Sequence, residues 1–265
     1  MTNTTRYLAV APVRPASARH PAFTKFTGFA ARLALAGGVV CASLFGAQAH
    51  AAPADTMIKA VKFDDVNEVN KQLAHGMDPN LTDDQGTPLL VIAAREKSEK
   101  VGAALVANPK TNIEILDKAG ENAMMMAALN GDIDFVKLLI SKDAEVNKKG
   151  WTPLHYAAAN GHDDIVQLLL DHSAYIDAGS PNGTTPLMMA ARGGHMSTIK
   201  LLLDSGADVT IKNQVGVDAL GFAKVYKEPD AIAGLSARLA QVQQQKASAA
   251  TGASGAPAPS QNSAK

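Results

Sequence analysis

Gly150-Trp151-Thr152-Pro153-Leu154-His155-Tyr156-Ala157-Ala158, followed by Asn160-Gly161-His162, Ile165-Val166 and Leu168-Leu169-Leu170, decides the fold because the chain repeats it. The next copy reads Gly183-Thr184-Thr185-Pro186-Leu187-Met188-Met189-Ala190-Ala191, then Gly194-His195, Ile199 and Leu201-Leu202-Leu203. Aligned on the opening glycine, Gly86, Gly120, Gly150, Gly183 and Gly216 stand 34, 30, 33 and 33 residues apart. Self-similarity at such a period marks stacked supersecondary units. Each column has a physical reason. Thr152 and Thr185, with Asn122 and Asp218 in the same column, are helix N-caps, and Pro153 and Pro186 follow at the first helical position, where a missing N–H costs nothing. The alanine pairs Ala93-Ala94, Ala127-Ala128, Ala157-Ala158 and Ala190-Ala191 keep the first helix of each unit thin, so that the leucines of a second helix fill the groove. Gly131, Gly161 and Gly194 end the first helix in a left-handed conformation that glycine adopts most cheaply.

These residues resemble the ankyrin repeat, whose signature contains T-P-L-H-x-A-A at a period of 33. The resemblance covers about residues 53–242. Ala60, Val66, Val69 and Leu73 before Gly76-Met77-Asp78-Pro79-Asn80 supply a first repeat. In the second, Thr87-Pro88 sits one residue early and Arg95 to Lys100 lacks the Gly-His turn, which predicts an irregular helix pair. After Gly216, a helix beginning at Leu220 and another over Ala231 to Val242 read as a cap. The implied fold is an all-α solenoid of about five helix-turn-helix repeats with short hairpin fingers and a C-terminal cap. One finger departs from the pattern. Six residues separate Asn80, Glu114, Asp177 and Thr210 from the next glycine, but three separate Asn147 from Gly150. That deletion shortens a surface projection and leaves the helix register alone.

The ends carry different signals. Leu33 to Gly46 are fourteen uncharged residues, with arginines before them and Ala47-Gln48-Ala49 and Ala49-His50-Ala51 after. This is the layout of a secretory signal peptide, and it assigns residues 1–51 to a leader, with a mature start between His50 and Pro53 and a periplasmic or extracellular destination. The repeat domain is then 52–242, and the Ala/Ser/Gly/Pro stretch 243–265 is expected to be disordered. Of 25 basic and 25 acidic residues, five basic and no acidic ones lie in the leader, so the remainder carries a net charge of −5. That argues against phosphate-driven nucleic-acid binding. After residue 52 no apolar stretch is long enough to cross a bilayer. The single cysteine, Cys41, lies in the leader, which leaves no thiol chemistry, and a monomer held by packing is expected.

No residue pattern points to catalysis or to a cofactor. His155, His162 and His195 occupy signature positions where an imidazole bonds neighbouring turns, and His75 and His172 sit at second-helix ends, where a cation complements the helix dipole. No H-E-x-x-H, P-loop or G-x-S-x-G pattern occurs, so neither a metal site nor a catalytic residue is assigned. Met124, Met125, Met126, Met188 and Met189 read as core filling on first helices. What remains is a binding face. The resemblance implies that fingers and the exposed side of the first helices contact another protein, through Arg95, Glu121, Leu129, Asn130, Trp151, Asn160, Thr184 and Arg192. Trp151, the only tryptophan, stands beside the shortened finger and reads as the anchor, because aromatic side chains dominate interface energies. The expected function is non-enzymatic: scaffolding, protecting or inhibiting an exported enzyme. The alternatives are an enzyme or ligand site in the divergent second repeat, favoured by a pocket of converging polar groups, and a structural role at the envelope.

Overall fold

The computed structural model describes residues 53–253; residues 1–52, where a leader is expected, and 254–265 lie outside that range. Within it the regular structure is helical, twelve helices arranged as six pairs. The pairs are α1 (Pro53–Lys62) with α2 (Val66–Ala74), α3 (Leu89–Glu96) with α4 (Glu99–Ala107), and α5 (Ala123–Asn130) with α6 (Ile133–Ile140). Then follow α7 (Pro153–Asn160) with α8 (Asp163–Asp171), α9 (Pro186–Gly193) with α10 (Met196–Asp204), and α11 (Ala219–Tyr226) with α12 (Pro229–Ala253). First helices pack on first helices and second on second, so each repeat touches only its neighbours.

Helices of eight to ten residues are too short to persist alone, and the burial of one face holds them in place. The alanine pairs and Ala223 are at most 1% exposed, and Leu105, Leu139, Leu169 and Leu202 of the second helices are fully buried. Each such leucine contributes about 1.5–3 kcal/mol. Where a column changes size, its neighbour compensates. Phe135 fills the column of Val101 and Ile165, and a Cβ on Gly102 would stand 2.8 Å from its ring. The second repeat is therefore regular in its helices, contrary to the expectation from its missing Gly-His turn. Lys97 takes the left-handed position at φ 58° and ends α3 as a glycine would. Its one departure follows α4, where Asn108 is extended and the Thr111 hydroxyl closes the end by donating to the Leu105 carbonyl.

The left-handed column explains why some repeats need glycine. A Cβ on Gly131 would lie 2.6 Å from the His162 ring, and one on Gly161 would lie 2.6 Å from His195. Asp64 and Lys97 stand in the same column, where the next repeat presents only Ser98 or Asp132. Glycine is thus favoured by φ, and it is required where an imidazole stacks on it.

Four fingers are tight turns. In each the leading residue accepts a backbone N–H from the residue before the N-cap column: Thr87 to Asp83, Glu121 to Asp117, Thr184 to Ser180, Val217 to Asn213. The leading residue's own N–H returns to the carbonyl of that same residue at 2.9–3.0 Å. Among the described residues the shortened finger shows neither bond, because the deletion removes the leading position. Beyond Val242 the last helix continues to Ala253, which corrects the expectation of disorder from residue 243. Gln243-Gln244-Gln245-Lys246-Ala247 has no apolar period, but its residues are good helix formers and extend a helix already nucleated against α10 and α11.

Candidate interaction face

The first helices of repeats two to six present three columns toward the side where the fingers project. One runs Ile92, Met126, Tyr156, Met189, Phe222. The next runs Arg95, Leu129, Ala159, Arg192, Val225, and the third Glu96, Asn130, Asn160, Gly193, Tyr226. Ile92 and Met126 are buried, whereas Tyr156, Met189 and Phe222 are half-buried. The apolar column is therefore closed in repeats two and three and open in repeats four to six.

Trp151 heads α7. It is half-buried, with its ring 5.2 Å from His155 and 6.3 Å from Tyr156, both edge-on. His155 below it is fully buried, and its Nδ1 accepts the Thr152 backbone N–H at 3.2 Å. That fixes the neutral tautomer with Nε2–H donating to the Thr184 carbonyl of the next repeat at 2.9 Å. Burial holds its pKa down to about 4, against the raising effect of the Thr184 and Ala178 carbonyls. The Tyr156 hydroxyl donates to Glu121 at 2.7 Å, and burial beside that carboxylate pushes the phenol pKa up.

Several of the expected contact residues are occupied in holding the stack together. Asn130 donates its amide to the Ala94 and Arg95 carbonyls, both at 3.0 Å, and Asn160 donates to Leu129 at 2.7 Å. His162 bonds the Leu129 carbonyl and His195 that of Ala159, as read from the signature. The asparagine column does the same between second-helix ends. Asn80 accepts the Asn112 N–H, Asn147 that of Tyr175, Glu114 that of Glu145 and Asp177 that of Asp208. Lys148 ties the shortened finger to Glu114 at 2.6 Å. Burial works against its charge, but Glu114 and Glu145 prevail and its pKa is raised.

Thr184 is a correction. At 2% exposure it is enclosed, its N–H taken by Ser180 and its carbonyl by His155, so its side chain is no part of the surface. Arg95 is exposed and pairs with Asp117 at 3.3 Å. Arg192 instead lies over Tyr226, 5.3 Å from the ring centroid, and Tyr226 is stacked on Phe222 at 6.5 Å and 8°. Val225 beside them is 69% exposed and Tyr226 37%. These three last-repeat residues were not read from the sequence. The signal was present, since Phe222 falls in the column of Tyr156 and Met189, but the copy after Gly216 has Ala219 and Gly221 where the signature has proline and histidine.

Other places offer less. An open cleft of about 410 Å³ lies between α1 and the first finger, lined by Asp55, Ile58, Lys59, Lys62, Phe63, Asp83, Asp84 and Gln85. Its charged groups are surface side chains, not the converging polar pocket a ligand site requires. Among the described residues no group of His, Cys, Asp and Glu is arranged to hold a metal ion, and no helix is long and apolar enough to cross a membrane.

Paired helices stacked at a 33-residue period, with fingers on one edge, define a repeat solenoid whose open face is a protein-interaction module. A model of three ankyrin repeats matches residues 57–149 and 145–213, more than half of the chain. The chain belongs to the ankyrin-repeat family. It is 33% identical over 102 residues to the palmitoyltransferase AKR1 of Lachancea kluyveri, and 30% identical over 96 residues to an ankyrin repeat-containing protein of Treponema pallidum. Each match takes in 36% of this chain but only 14% and 32% of those relatives.

Proposed function

We propose that the chain is a non-enzymatic binder that recognises another protein through the C-terminal half of its finger-and-first-helix face. The observation that carries this is the set of Trp151, Tyr156, Met189, Phe222, Val225 and Tyr226, all half-buried or exposed, whereas in repeats two and three the column of Tyr156 is closed by Ile92 and Met126 and in repeat two the columns of Val225 and Tyr226 carry the charged Arg95 and Glu96. Partly exposed aromatic side chains on rigid helices supply much contact area at little cost in conformational entropy. Trp151 is the anchor and Arg192 the polar contact, with Glu121, Leu129, Asn130, Asn160 and Arg95 toward the rim. The charge-free stretch Leu33 to Gly46 supports export, and the setting proposed is the periplasm, where binding scaffolds, protects or inhibits a partner enzyme. The test is affinity capture from the native compartment with the wild-type protein and Trp151→Ala in parallel. A partner held by the first and lost by the second supports the reading. A partner retained equally by both moves binding to the second helices or the last helix.

A further inference from the structure

Three Asn-Gly pairs occur among the described residues: Asn130-Gly131, Asn160-Gly161 and Asn182-Gly183. Glycine after asparagine leaves the following amide nitrogen sterically free to reach the side-chain carbon. We infer that Asn182, at the tip of the finger between α8 and α9, is a site of spontaneous deamidation, while the fold protects the other two. In the reaction the Gly183 nitrogen loses its proton to solvent base and attacks Asn182 Cγ. The side-chain amide leaves as ammonia and a cyclic succinimide forms. Water then opens the ring at either carbonyl, giving aspartate or isoaspartate.

The three glycine N–H groups are all hydrogen-bonded, but the asparagine side chains and what packs over the glycines differ. Asn130 and Asn160 end helices, and their amide nitrogens are bound to carbonyls of the preceding repeat at 2.7–3.0 Å. The nucleophile is held as well, since the Gly131 and Gly161 N–H groups donate to Ala127 and Ala157. His162 and His195 are packed over those glycines. Ring closure at either position requires opening a helix end and the interface between two repeats. Asn182 is exposed at a turn. Its side-chain oxygen accepts the Ser180 hydroxyl at 2.6 Å and the Thr184 N–H at 3.2 Å. Two donors on that oxygen draw charge from Cγ and stabilise the oxyanion of the tetrahedral intermediate. The Gly183 N–H gives up one turn bond, to Ser180 at 2.7 Å. The product matters to the face. A carboxylate appears at a finger tip, and in the isoaspartate form the chain runs one methylene longer through the side-chain carbon while the α-carbonyl that receives the Gln214 N–H at 2.9 Å becomes part of a free carboxylate.

The experiment ages the folded protein in H₂¹⁸O at mildly alkaline pH and maps ¹⁸O uptake by peptide mass spectrometry, with a urea-unfolded sample in parallel. The unfolded chain should label all three positions at similar rates, because each asparagine precedes glycine. In the folded protein Asn182 should label about tenfold or more faster than Asn130 and Asn160, whose rates follow the opening of structure. Ser180→Ala, which removes one donor, should slow Asn182 and leave the others unchanged. Equal labelling of all three sites in the folded protein would overturn the inference, and so would an Asn182 that labels only when unfolded.

Discussion

The two halves of the array use the same columns for different ends. In repeats one and two the corresponding columns hold Lys62 and the exposed Phe63, then Arg95 and Glu96, and the fingers carry Asp83, Asp84 and Lys118. Arg95 is already paired with Asp117. In repeats four to six those columns hold Trp151, Tyr156, Ala159, Met189, Gly193, Phe222, Val225 and Tyr226, with Arg192 resting on an aromatic ring. The inner fittings differ in the same direction. His162 and His195 lock onto glycines in the C-terminal half, where the N-terminal half has Ser98 and Asp132 under Asp64 and Lys97. Exposed charges that are solvated or self-paired contribute little to binding, whereas partly buried aromatics on a rigid support contribute most of it. The comparison teaches that a regular fold is not a uniform surface, and that the stacked imidazoles and the exposed aromatic side chains occur in the same half.

The largest effect should come from the anchor. Trp151→Ala is expected to weaken partner binding by about 2–4 kcal/mol, roughly 30- to 1000-fold, with the helical circular dichroism retained. Loss of helix in step with binding would make the tryptophan a packing residue of the His155–Tyr156 cluster instead. Acid comes next. His155 is neutral in the folded chain down to about pH 4, while the unfolded chain takes up its proton near pH 6.5, so the unfolded state binds more protons in between. Stability should therefore fall as pH drops from about 6.5 to about 4, by about 3 kcal/mol, and His155→Gln should flatten that slope in urea titrations.

Substitution at the helix ends sharpens the contrast further. Gly161→Ala places a Cβ at φ 74° against His195 and should cost about 2 kcal/mol, whereas Lys97→Gly relieves a left-handed lysine and should gain up to about 1 kcal/mol. Equal and opposite responses at the two positions would mean that φ alone, and not the stacked imidazole, decides the column. The smallest effect is expected from Arg192→Ala, about 0.5–1 kcal/mol of affinity with a salt-dependent on-rate. Arg95→Ala should change less still.

Much of this was legible in the chain. The period, the caps at Asn122, Thr185 and Asp218, the left-handed glycines and the bridging role of the histidines follow from residue chemistry repeated often enough to align. The face was legible only in outline, because a column says which way a residue points and not what it is bonded to. Asn130 and Asn160 lie on the right side, but their amides are engaged by carbonyls some thirty residues earlier. Thr184 shares a column with Trp151 yet closes under its finger. Phe222 and Tyr226 were missed because the last repeat departs from the signature, and the helical course of residues 243–253 because propensity leaves no apolar period to see.

Hydrogen exchange of the protein alone and with its captured partner tests the central claim most directly, since it locates contact without any substitution. Protection on binding should appear in the fingers and in α7, α9 and α11, from Gly150 to Tyr226, with at most a small change around the rim residue Arg95 and none over residues 53–91. Protection confined to α8 and α10, or to the first two repeats, would contradict it.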